Sequence, residues 1–108
     1  MACYDYISAF FAGAFLINSV PHIVQGVSGN EFQTPFATPS GVGESSAIVN
    51  VIWGFANLAI GGVLMSIAWS GPWPSPWQLC ITAFVGALAL ALYLASHFRK
   101  VRDAAPQP

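Results

Sequence analysis

Five side chains stand out as able to do chemistry: His22 and His97, and the amides of Asn18, Asn50 and Asn57. An imidazole can carry a proton or bind a metal near neutral pH, and carboxamides both donate and accept hydrogen bonds. Ala14, Asn18, His22 and Gln25 or Gly26 recur at spacings of four, four and three or four, so in a helix they share one face. Asn50, Gly54, Asn57 and Gly61 repeat the pattern on a second segment. Together, Asn18, His22, Asn50 and Asn57 form a polar set suited to a binding site. Its bland counterpart is interhelical glue, in which the asparagines satisfy one another and His22 bonds the carbonyl that Pro21 frees at Ile17.

The chemistry this set specifies is limited. His22 and His97 lie on separate apolar stretches without the paired spacing of a helical metal site, which makes weak support for a metal or haem centre. No glycine-rich phosphate loop, nucleophile elbow or His-Glu-x-x-His motif occurs. No cofactor is specified, no metal site is expected, and catalysis is not the favoured reading.

The elements that must position these groups follow from composition. Of the 108 residues, 56% are hydrophobic and 6% charged, whereas a soluble domain carries roughly a quarter charged residues. Seven charged side chains are too few to cover a water-facing surface. Lipid is therefore the expected solvent. A bilayer core of about 30 Å takes roughly 20 helical residues, and three stretches qualify, near 6–24, 47–69 and 77–98. None alternates with the period of a barrel strand. The expected fold is an all-α, integral membrane three-helix bundle filling one domain, with the last two spans an antiparallel hairpin about the proline-rich turn at 70–76. The first span is the weakest. Asn18, Ser19, Pro21 and His22 follow in quick succession, and Pro21 predicts a kink or an early end.

Charge orients the bundle. Arg99, Lys100 and Arg102 all follow the third span, so the positive-inside bias places the C-terminus in the cytoplasm and the N-terminus outside. Tyr4, Tyr6, Trp69, Trp73 and Trp77 then gather at the outer boundary, where aromatic belts form. The N-terminus has an acid at Asp5 and no base before the apolar run, unlike a secretory signal, so that run is expected to be retained. Asn18, His22, Asn50 and His97 fall toward the cytoplasmic face, with Glu31 and Glu44 on the loop 28–46 beside them. The loop has no periodic pattern and the tail 103–108 is expected to be disordered.

Gly54 and Gly61 are read as helix-packing positions, where a missing side chain lets another backbone approach. Cys3 and Cys80 suggest free thiols. A net charge of −1 excludes nucleic acid as a partner. The partners expected are the lipid bilayer of the cell membrane and other helices, of this chain or of another membrane protein. These features predict an oligomeric or accessory subunit of a membrane complex. The alternative is an oligomeric transporter or channel with a polar vestibule near the cytoplasmic face.

Overall fold

The computed structural model describes residues 2–105, which form three long helices: α1 (Ala2–Val27), α2 (Ala47–Ala68) and α3 (Pro76–Ala104). All three are long and apolar enough to cross a membrane. Their ends have identifiable causes. Gly29, at φ +80°, takes the left-handed conformation that closes α1. Asn30 and Gly29 donate back to the Gln25 and Gly26 carbonyls at 2.9 and 3.0 Å, a Schellman arrangement. The Ser46 hydroxyl caps α2 by accepting from the Val49 amide. Pro76 opens α3, and the Gln78 side chain accepts from the Ser75 amide at 2.9 Å.

Helix α1 passes through Pro21 without ending and runs past the predicted boundary at residue 24. Packing on both sides holds it. Along one side it meets α2, running in the opposite direction. A Cβ on Gly54 would stand 3.2 Å from the Ser19 carbonyl oxygen, and one on Gly61 3.2 Å from that of Ala12. Asn50, Gly54, Asn57 and Gly61 are accordingly all buried, one continuous stripe turned onto α1. On its other side α1 crosses α3 at bare backbone. A side chain on Gly13 would run into the Ala83 carbonyl, and one on Gly86 into that of Phe10.

This arrangement corrects the expected pairing of the last two spans. Helices α2 and α3 are joined by a short turn, yet each packs mainly on α1, which lies between them. The small residues on two sides of α1, with Ala12 and Ser19 toward α2 and Gly13 toward α3, allow both approaches. All three helices meet at the turn end, where Ala9, Ala68 and Leu79 form a small apolar core beside Trp69.

The chain from 28 to 46 is ordered by its own bonds. Phe32–Gln33 (β1) pairs antiparallel with Glu44–Ser45 (β2), in register Phe32 to Ser45 and Gln33 to Glu44. Buried Thr34 is the hub: its carbonyl accepts from the Gly41 amide at 2.9 Å, and its hydroxyl meets that of Ser45 at 2.6 Å. At the other terminus, α3 continues through the basic cluster. Asp103 and Ala104 are helical, and Asp103 pairs with Arg99 at 3.7 Å, so the disordered tail predicted from 103 does not begin there. Its remainder at 106–108 lies outside the described residues. Cys3 and Cys80 are free and exposed.

Candidate functional site

The polar side chains of α1 and α2 meet in two hydrogen-bonded pairs. Asn57 donates through Nδ2 to the Trp53 carbonyl at 2.8 Å, and a carbonyl can only accept. That fixes the amide, leaving its Oδ1 to accept from Asn18 Nδ2 at 2.9 Å. Two turns nearer the loop on α2, Asn50 Nδ2 faces three backbone carbonyls, those of Phe32, Ser45 and Ser46, at 3.0–3.1 Å. Its Oδ1 therefore faces His22 Nδ1 at 2.8 Å, and the imidazole must carry its proton on Nδ1 to donate. Asn50 and Asn57 have no exposed surface, and His22 is 3% exposed.

Asn50 thus joins three elements: α2, which carries it, α1 through His22, and the base of the β1–β2 ladder. His22 bonds Asn50 rather than the carbonyl that Pro21 frees at Ile17, and Asn50 bonds the loop rather than the other asparagines. The close approach of α1 and α2 at Gly54 brings the Asn50 amide within reach of that imidazole.

Beyond these pairs, α1 and α3 diverge from their crossing at Gly13 and Gly86. Gln33, Thr34, Pro35 and Gly41 of the loop border the opening, leaving an open cleft of about 410 Å³. Phe11 and Phe15 of α1 face Leu90, Leu94 and Phe98 of α3, and Trp53 contributes from α2. Two loop rings outside the lining brace the aromatic wall: Phe32 packs edge-on against His22 and Phe98, with centroids at 5.5 and 4.8 Å, and Phe36 against Trp53 at 4.8 Å. No acidic side chain, lysine or arginine lines the space.

His97 closes the loop side. Its Nε2 donates to the Gly41 carbonyl at 2.7 Å, while its ring stacks on Tyr93, nearly parallel at 6.0 Å. Gly41 sits at φ +72°, a conformation that turns the loop tightly enough to present that carbonyl.

The four residues of the predicted polar set divide. Asn18 and His22 line the cleft; Asn50 and Asn57 stand behind them and hold them in place. Gly54 and Gly61 lie at the α1–α2 contact. His22 and His97 both reach the cleft, but the Nε2 atom of His97 is occupied by Gly41. Among the described residues no group of three or more His, Cys, Asp or Glu side chains assembles into a metal site.

Sequence reasoning passed over Trp53, Thr34 and Gly13. The signal for Gly13 was present in the small residues Ala9, Ala12 and Gly13 on α1. Trp53 lies one position before Gly54, beside the asparagine stripe, and carries the one buried side-chain nitrogen or oxygen among the described residues that lacks a partner, Nε1. Compared with known protein families, curated proteins and solved structures, the chain matches none.

Proposed function

We propose that this chain is a non-catalytic membrane subunit that holds a small lipophilic molecule in the cleft between α1 and α3. In this reading lipid solvates the three spans, and the loop end, with its cleft and basic cluster, faces the cytoplasm. The observation that carries it is the cleft itself, about 410 Å³ and walled chiefly by aromatic and aliphatic side chains with a few convergent polar groups. Ligand sites have that character.

The subunit part of the reading draws on α2. Gly62 has no atom within 4 Å of where its Cβ would stand, so the outward side of this helix can admit another backbone. A water-filled pore draws less support. The amides of Asn50 and Asn57 are fully buried and hydrogen-bonded, and the cleft wall offers little polar surface.

The test is to purify the protein in a mild detergent, extract it with organic solvent, and identify what was bound by mass spectrometry. A stoichiometric apolar compound should be recovered, and it should be lost from Leu90→Trp, which fills the cleft. A preparation free of any such compound, or one whose content is unchanged in Leu90→Trp, would refute the reading.

A further inference from the structure

The hydrogen bonds behind the cleft determine which polar atoms remain for an occupant. Asn50 takes the proton-bearing Nδ1 of His22, so Nε2 is left as a lone-pair acceptor with no partner among the described residues. Asn57 takes Nδ2 of Asn18, leaving Oδ1 of that amide as a second acceptor with no partner among the described residues. Both side chains line the cleft while Asn50 and Asn57 do not, so the free edges are the ones turned toward it. Residues 18 and 22 are one helical turn apart on the same face. In this cleft, then, two fixed acceptors lie side by side in apolar surroundings.

We propose that the occupant is a neutral lipid-soluble alcohol or phenol, whose hydroxyl donates to His22 Nε2, with Asn18 Oδ1 beside it. This rests on the cleft being a binding site. A hydroxyl is the neutral head group that meets such acceptors. An ether or an ester can only accept and would leave both unpaired, and a carboxylate would meet no cation on the cleft wall. The oxygen of the same hydroxyl can also accept. Trp53, whose ring centroid is 6.4 Å from that of His22, carries an unpartnered Nε1–H sealed from water. A turn of the Trp53 ring that opens Nε1 to the cleft would let the same hydroxyl oxygen accept from it. The aromatic walls accept the apolar body.

The probe is 4-phenylphenol, with 4-methoxybiphenyl as its hydrogen-bond-deficient match, titrated against the full chain in phosphatidylcholine nanodiscs. Empty nanodiscs correct for partitioning into lipid. The phenol should bind saturably and about tenfold more tightly than the ether, the factor expected for one well-placed hydrogen bond. His22→Phe should remove most of that preference and Trp53→Phe part of it. On the unsubstituted protein, the ¹⁵N resonance of His22 Nε2 should move toward the protonated-nitrogen position as the phenol is added, a readout independent of any variant's folding. Equal affinities for phenol and ether, or an Nε2 resonance that stays put at saturation, would overturn the alcohol assignment while leaving an apolar binding cleft. Absence of saturable binding by either compound would overturn both.

Discussion

At the scale of single residues, Asn50 has the largest effect on the structure. It is fully buried and accounts for bonds to His22 and to the Phe32, Ser45 and Ser46 carbonyls. Asn50→Ala leaves the His22 Nδ1–H unpaired and removes the side-chain donor from the Phe32 and Ser45 carbonyls, while the Ser46 carbonyl keeps the backbone amide of residue 50. The expected loss is about 2–3 kcal/mol, measured by reversible unfolding in mixed micelles. Asn50→Asp should be worse, because it turns a second acceptor toward carbonyls that need a donor. His97 makes one such bond, to the Gly41 carbonyl, and keeps an aromatic neighbour in Tyr93. His97→Phe should therefore cost only about 1 kcal/mol. Its distinguishing mark is local: amide hydrogen exchange should rise at residues 41–43 while the helices keep their protection. An increase spread evenly over the chain would contradict a local hold of His97 on the loop at Gly41.

At the scale of elements, backbone approach sets the architecture, and glycines mark where it occurs. Gly13→Leu should force α1 and α3 apart, because the Ala83 carbonyl occupies the space a side chain needs. Gly62→Leu should leave the monomer as stable as before or raise its stability by up to about 1 kcal/mol, since open space surrounds it and leucine is the better helix former. Unfolding of the two variants under identical detergent conditions decides the point, and equal destabilisation would contradict the packing described. Hydropathy and spacing made the helices and the Asn50–Gly61 stripe legible, because a buried stripe repeats with the helix period. The loop was not legible. Its order comes from Gly41 bonding Thr34 and from Asn50 bonding Phe32, irregular pairings that leave no periodic trace. For the same reason the sequence pointed to α2 and α3 as partners, whereas α1 became the shared one. Short connection in sequence is a weaker constraint than the small-residue surface at Ala9, Ala12 and Gly13.

At the scale of the whole molecule, the helices build a body 55 Å long and 24 by 20 Å across, longer than a bilayer core of about 30 Å. The excess length is accommodated at both ends. One end carries the tryptophan-rich turn, with Trp73 and Trp77 exposed, and the other the ladder, the cleft mouth and the charged last turns of α3. If the aromatic end sits at the outer interface and the basic end in the cytoplasm, the cleft lies within the inner leaflet, where a lipid-soluble occupant enters sideways. Cys3 and Cys80 are both exposed and would report the same side, so Cys80→Ala leaves Cys3 as a single native probe. In intact cells a membrane-impermeant maleimide should label Cys3 in that background. With both native thiols removed, Ser40→Cys on the loop should stay unlabelled until the cells are opened. Labelling of Ser40→Cys in intact cells, with protection of Cys3, would invert the orientation and put the cleft in the outer leaflet. Labelling of both from outside would mean that α1 does not cross, and the lateral route into the cleft would fall with it.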